Sequence, residues 1–491
     1  MSIFFEKITQ VFTDEKIDYS SNKNIPIQFC CNNYEEFSEK ITQVIPKNKG
    51  NKVFILHDGK DKKSDKDSNT NILEKIIETL SDKYSIIEKN LSTESKCKSD
   101  EIHASEYFLE KTTNLIFKET DCEIYIALGS GTITDLLKHS LFLNKPNAIF
   151  ISIPTAMTVT AFTSSFSVVD ISGAKRTRQS KDIYATFWIE PLLKAAPMEL
   201  SRAGYGDLLA RFVAYGDWYL GFKLGISENY DELAFRLMDV FADPLKQIAS
   251  EFAQSELSGQ AIEISAAALA MAGIAMSLSG ETTPLSGYEH VISHALDFLR
   301  LNSDRPLVLH GEQVALATLT SAMSFEWLLE IENFDLKKFR SMNEKDTTQI
   351  INHFFNAAPF FGKDEDKINA AERKKIDLNL SAKSKPAKEI FISDYLKKSQ
   401  KWDIAKEKFS DFIQEWPAIK AHLKSLTISS HSMQALLEQA RLPIFPEGTN
   451  PMTTALEYRW AIRFAPFIRS RFCIADFIFW IGEDCCIAAA T

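Results

Sequence analysis

The chain has 491 residues, of which 45% are hydrophobic and 25% charged, and a formal net charge of −10. This length exceeds what one ordinary core fills, so two domains are expected in a protein of globular composition. The acidic balance argues against nucleic acid as a partner and gives no reason to expect an anionic membrane surface.

The seven cysteines are odd in number and form no C-x-x-C pair, which suits a reducing cytoplasm. The opening MSIFFEKITQVFTDEK sets acidic residues beside a short apolar patch, unlike a secretory signal. The Ala-rich run from Ile264 to Leu278 is about 15 residues long, and Phe472 to Gly482 is shorter and contains Asp476. No membrane span is expected from either, and both read as buried helices.

Along the chain, the first 50 residues read as an irregular entry segment. Lys52 to His57, KVFILH, is a short apolar strand ending at Asp58, and GKDKKSDKDSNTN after it is a solvated charged loop. NILEKIIETLSDKY is an amphipathic helix, SIIEKNL a strand, residues 92–103 a polar linker, and Glu106 to Phe117 a helix. EIYIAL is a strand, GSGTITD a turn, LLKHSLFL a helix, and AIFISI a strand ending at Pro154. This alternation predicts a parallel sheet. A glycine turn between strand and helix gathers backbone N–H groups at the positive helix end, which suits a pyrophosphate; a tight turn alone also accounts for the glycines.

After about Ile189 helical patterns take over. A short piece from Pro191 to Ala196 comes first, then Asp207 to Phe222, Glu232 to Phe252 and Glu256 to Leu278. Residues 362–401 are rich in lysine and poor in apolar residues, and read as an exposed excursion.

Ser286 to Val314, SGYEHVISHALDFLRLNSDRPLVLHGEQV, holds three of the nine histidines. His290 and His294 are four apart and share one face of a helix, and His310 opens a second segment of helical spacing. Two imidazoles brought together by two helices make a metal site once an oxygen ligand is added, and ordinary polar or core histidines explain the spacing equally well.

Taken in order, GSGTITD, ISIPTAMTVTAFTSSFSVV, AGYGDLLAR, SGYEHVISH, HGEQV and FIRSRFCIADFIFWIG resemble the sn-glycerol-1-phosphate dehydrogenases. These lie within the superfamily of iron-containing alcohol dehydrogenases, glycerol dehydrogenases and dehydroquinate synthases. The matching blocks run from about residue 120 to about 482; the first 120 residues and the 362–401 insertion match poorly or not at all. The resemblance implies a dehydroquinate synthase-like fold, with an active site in the cleft between its two domains. An α/β Rossmann-like dinucleotide-binding domain would occupy residues 1–188, and an all-α metal- and substrate-binding domain residues 189–491.

It also implies roles. Asp207 would join His290 and His310 as metal ligands and lie against substrate, although GYGD before LLARFVAYG also reads as a helix N-cap. His294 would be the catalytic, substrate-contacting histidine. For NAD or NADP, Gly129, Ser130, Gly131, Thr132, Ile133, Thr134 and Asp135 would follow the pyrophosphate. Thr155, Ala156, Met157 and Thr158 would meet the ribose and nicotinamide side, Ser164 would add a hydroxyl, and Asp58 would take an adenosine ribose hydroxyl. A polar turn with local side chain to backbone bonds is the alternative for the serines and threonines.

The implied ligand set suits a divalent ion, zinc first with iron or nickel as alternatives, acting on an alcohol or ketone oxygen. The implied partner is a small phosphorylated polyol, the implied location is cytoplasmic, and a homo-oligomer is left open. Lys175, Arg176 and Arg178 are cations available to a substrate phosphate, or simply a solvated face. One departure concerns substrate: the family motif reads approximately TAASMDGFTSS, and Thr160 stands where its substrate-contacting aspartate would be. A hydroxyl cannot take two substrate hydroxyls as a carboxylate can. Two alternatives to a polyol phosphate dehydrogenase therefore stay open, a phosphate-eliminating cyclase of the dehydroquinate synthase kind and a catalytically silent homologue.

Overall fold

The structure is a computed structural model that describes residues 2–17, 22, 25–60, 62–65, 71–94, 102–171, 173–303, 305–359 and 370–488. It divides into two compact units: residues 1–171, 175–208 and 233–282, and residues 172–174, 209–232 and 283–491.

The first unit is built on a parallel sheet in the order β1-β8-β5-β4-β2-β3, with β1 Ile27–Cys31, β2 Lys52–His57, β3 Ser85–Asn90, β4 Ile124–Gly129, β5 Ile149–Pro154 and β8 Ala185–Ile189. β6 (Phe166–Ile171) and β7 (Ala174–Gln179) form a separate two-stranded sheet that contains the GAKRTRQ cations. The central strands β4 and β5 are near-continuous apolar runs because both faces are covered, as parallel sheets require.

The covering helices are α2 (Tyr34–Val44), α3 (Ile72–Ser81), α4 (Glu106–Lys118) and α5 (Gly131–Asn144), while α1 (Ser2–Asp14) packs against helices later in the same unit. In α3, Ile72, Ile76 and Leu80 recur at helical spacing and are buried, and Asn71 caps the start by accepting the Leu73 N–H at 2.9 Å. The first 50 residues are thus not irregular: they hold α1, β1 and α2, and β1 pairs with the distant β8. Parts of the charged loop after Asp58 and of the 92–103 linker lie outside the described residues.

Beyond the sheet come α6 (Glu190–Lys194), α7 (Met198–Leu208), α8 (Ala214–Lys223), α9 (Leu233–Asp239), α10 (Ala242–Gln247) and α11 (Gly259–Ser279), of which α8 belongs to the second unit. Two expected helices are broken: a 3-10 stretch, Leu209–Phe212, separates α7 from α8, and the segment expected from Glu232 to Phe252 divides into α9, α10 and a further 3-10 stretch. α11 is longer than the Ala-rich run suggests. At 21 residues it is long and apolar enough to cross a bilayer, and 94% of its most apolar window is buried inside the protein.

The second unit is helical: α8, α12 (Tyr288–Asn302), α13 (His310–Leu329), α14 (Glu344–Asn356), α15 (Ala370–Glu407), α16 (Phe409–Leu426), α17 (Ser430–Gln439), α18 (Ala455–Phe464), α19 (Ile474–Trp480) and α20 (Cys485–Ala488). The stretch expected to be an exposed excursion has, from Pro386 onward, one buried face and one exposed face. Ala387, Phe391, Tyr395, Lys398 and Trp402 form a buried stripe along α15. Lys398 lies in that stripe because its ammonium pairs with buried Asp476 at 2.8 Å and donates to the Pro466 carbonyl at 2.7 Å. The six described cysteines are free thiols.

Candidate functional site

The sheet register aligns three strand ends. Leu128 of β4 pairs with His57 of β2 on one side and Ile153 of β5 on the other, and Gly129 pairs with Pro154. The carboxyl ends of β2, β4 and β5 therefore present Asp58, the Gly129–Gly131 turn and Thr155–Thr158 along one edge. β2 leads outward to β3 while β4 leads the other way to β5, so the edge includes the point where strand order reverses, the place such sheets bind ligands.

The turn is tighter than its sequence suggests, because α5 begins at Gly131 inside the GSGTITD segment. Ser130 is the N-cap without a side-chain cap bond. A Cβ on Gly129 would stand 2.9 Å from Ile133 Cγ1, and one on Gly131 would stand 2.3 Å from Val159 Cγ2, so close packing alone requires glycine at both positions. The later residues of the motif lie within the helix: Ile133 is core, and the Thr134 hydroxyl donates to the Ser130 carbonyl at 3.2 Å. Asp135 accepts the Val168 N–H at 3.1 Å and pairs with Lys138 at 3.1 Å. Asp58 is half-buried, accepts the Lys60 N–H at 3.1 Å and pairs with Lys62.

The loop after β5 is held from three sides. Lys138, fully buried, donates to the carbonyls of Ala161 at 3.0 Å and Ser164 at 2.9 Å. Burial pulls its ammonium down from the usual lysine value, and the Asp135 charge opposes that. Gly204 on α7 lets the Met157 carbonyl approach, and Gly273 on α11 does the same for Thr160 and Thr163. Thr155, Ala156, Met157 and Ser164 are buried; the Ser164 hydroxyl accepts the Phe166 N–H at 3.1 Å, and the Thr158 hydroxyl is buried without a hydrogen-bond partner. Thr160 is half-buried at the start of a 3-10 turn, Thr160–Phe162.

In the helical unit, α12 and α13 bring the three histidines together as their spacing requires. The His290 and His310 ring centroids are 5.2 Å apart, and those of His294 and His310 6.0 Å. His290 and His294 are buried and His310 half-buried. Asp207 is also buried, in the last turn of α7 rather than at a helix N-cap, because that helix begins at Met198. Asp207 belongs to the first unit, and His290 and His310 belong to the second. One carboxylate and two imidazoles make a donor set that fits a divalent metal ion.

Sequence reasoning missed the residues that hold His290 and His310. Glu289 accepts the Gly287 N–H at 2.6 Å and the His290 Nδ1–H at 2.9 Å. Ser293 bridges His310 Nδ1 at 3.1 Å and Gln313 Oε1 at 2.7 Å. Asp217 caps two helices at once, accepting the Tyr288 N–H at 2.7 Å and the Ile474 N–H at 2.5 Å. Burial pushes the Asp217 carboxyl up, and the neighbouring Glu289 charge adds to this. Chain neighbours of a candidate histidine, and the residue one helical turn along, are where such partners could have been sought.

Residues 35–186 match the family profile described as iron-containing alcohol dehydrogenase. The match begins at residue 35, so it includes most of the first 120 residues, and it ends at residue 186, before the helical unit's main segment.

The chain is 34% identical over 215 residues to the glycerol-1-phosphate dehydrogenase [NAD(P)+] of Bacillus velezensis, covering 44% of this chain and 52% of that protein. It is likewise 34% identical over 212 residues to that of Staphylothermus marinus, covering 43% and 57%. It thus spans about half the length of the curated relatives it matches. Among solved structures, it is similar to an alcohol dehydrogenase from Oenococcus oeni, with 13% identity, a TM-score of 0.49 and coverage of 93% of this chain and 97% of that one. It is also similar to glycerol dehydrogenase from Schizosaccharomyces pombe, with 18% identity, a TM-score of 0.47 and coverage of 74% and 91%.

Proposed function

We propose that this chain is a metal-dependent, NAD- or NADP-linked oxidoreductase that interconverts a small polyol phosphate and its ketone, with sn-glycerol 1-phosphate and dihydroxyacetone phosphate as the pair. The observation that carries this reading is the pairing of His290 on α12 with His310 on α13, ring centroids 5.2 Å apart. The substrate pair is supported by the curated relatives' name, glycerol-1-phosphate dehydrogenase [NAD(P)+]. One carboxylate and two imidazoles suit zinc, iron or nickel, and a divalent ion held by them would act as a Lewis acid toward the alcohol or ketone oxygen.

The remaining work belongs to side chains and backbone. His294, whose ring lies beside that of His310, hydrogen-bonds a substrate hydroxyl and relays its proton. Backbone N–H groups of the Gly129–Thr132 turn receive the pyrophosphate, and Asp58 takes an adenosine ribose hydroxyl. Thr155 to Thr158 and Ser164 border the nicotinamide side. Thr160 offers substrate a single hydroxyl where the family's aspartate would offer two acceptor oxygens.

The test is reduction of NAD or NADP by a panel of C3 to C6 alcohols and their phosphates. Turnover is expected with glycerol 1-phosphate or a close phosphorylated polyol, lost on chelation. Thr160→Asp is expected to raise kcat/KM for glycerol 1-phosphate by about tenfold, the worth of one charge-assisted hydrogen bond. Phosphate release without net reduction would replace this reading with a cyclase, and a protein that binds neither metal nor dinucleotide would replace it with a silent homologue.

A further inference from the structure

Each of the two histidines in the candidate donor set has its Nδ1 atom committed to a partner inside the helical unit, and the two partners differ. Glu289 is fully buried, and its Oε1 already accepts the Gly287 N–H at 2.6 Å. An oxygen that accepts there presents a lone pair to its second neighbour as well, so His290 Nδ1, 2.9 Å away, is the donor. Ser293 has one hydroxyl proton, which goes to Gln313 Oε1 at 2.7 Å. Its oxygen therefore meets His310 Nδ1, at 3.1 Å, as an acceptor. Both rings thereby carry their proton on Nδ1, and a neutral imidazole so protonated offers its lone pair at Nε2.

We infer that Glu289 and Ser293 are positioning residues that hold His290 and His310 in the tautomer protonated at Nδ1, so that both rings present Nε2 to a divalent cation. The inference rests on the metal reading above. It goes beyond it in saying how the protein selects the ligand atom, with a carboxylate for one ring and a hydroxyl relayed to an amide for the other. A preset tautomer spares the site the cost of moving a ring proton when the cation arrives, and hydrogen-bond acceptors at Nδ1 raise the donor strength of Nε2. Gly287 supports the arrangement, because a Cβ there would stand 2.2 Å from Asp217 Oδ2 and 3.0 Å from Glu289 Oε2.

The experiment uses the full chain stripped of metal, as wild type, Glu289→Gln, Glu289→Met and Ser293→Ala. Zinc affinity is measured by chelator competition at one fixed pH. The ring tautomers are read in the metal-free state from two-bond proton–nitrogen spectra of histidine-labelled protein. Glu289→Gln keeps an acceptor oxygen toward Gly287 and His290, and is expected to bind zinc within about threefold of wild type. Ser293→Ala and Glu289→Met are expected to bind about 10- to 100-fold more weakly. In each of these two, one ring is expected to change from an Nδ1–H to an Nε2–H pattern. Ser293→Ala removes only a hydroxyl, so it reports even if Glu289→Met fails to fold. Equal zinc affinity in wild type and Ser293→Ala, or wild-type rings protonated at Nε2, overturns the inference and leaves the metal reading standing. A wild-type chain that takes up no zinc overturns both.

Discussion

Gly204 of α7 faces the Met157 carbonyl so closely that a Cβ at that position would stand 1.7 Å from the oxygen. Met157 lies in the loop after β5, and Gly204 precedes Asp207 by less than one helical turn. The glycine thus fixes the loop against the helix that supplies a candidate metal ligand. Alanine is the better helix former, by about 1 kcal/mol, but here the overpacking term opposes it. Gly204→Ala is expected to lower stability by about 1–3 kcal/mol in urea unfolding and to weaken dinucleotide binding. Unchanged stability and unchanged binding would mean the loop yields without consequence.

Lys138 holds the other side of the same loop through the Ala161 and Ser164 carbonyls, and it pairs with Asp135 on the same helix. Removing one member of a buried pair leaves the other uncompensated. Lys138→Met is expected to cost about 3–5 kcal/mol of stability. The double variant with Asp135→Asn, which keeps an acceptor for the Val168 N–H, is expected to recover part of that loss. A double variant as unstable as the sum of the single ones would show that the two groups do not act as a pair.

Asp217 gives the helical unit a pH dependence of defined sign. Its carboxyl is raised from the ordinary value of 3.8, first by burial and then by the Glu289 charge. Above that ordinary value the unfolded chain releases the proton while the folded chain keeps it. The folded state then binds more protons, and stability falls as pH rises from about 4 until the folded carboxyl also ionises. The slope from this one group is at most about 1.4 kcal/mol per pH unit. In metal-free protein, the stability of wild type relative to Asp217→Asn is expected to decline between pH 4 and 7. A difference that grows across that range would contradict the assignment.

The parts legible in the sequence are those with strong local periodicity. β4, the glycine turn and β5 could be read because apolar runs alternate with a glycine break, and the histidine helices because four-residue spacing puts His290 and His294 on one face. What escaped notice depends on partners far along the chain. β1 is five residues long and makes sense only beside β8, whose first residue, Ala185, pairs with Ile27. In α15, the buried stripe through Phe391, Tyr395, Lys398 and Trp402 is masked by intervening lysines, and Lys398 looks like surface until Asp476 is known to meet it. The alternative of Asp207 as a helix N-cap rested on the cap composition of GYGD, whereas the helix that carries it begins at Met198.

The division of labour among the histidines is the central claim, and metal content tests it most directly. Wild type and the single variants Asp207→Ala, His290→Ala, His310→Ala and His294→Ala would be loaded with zinc, desalted and analysed for bound metal. About one zinc per chain is expected in wild type and in His294→Ala, and a loss of most of it in the other three. A His294→Ala chain that loses zinc as the ligand variants do, or a wild-type chain that retains none, would contradict it.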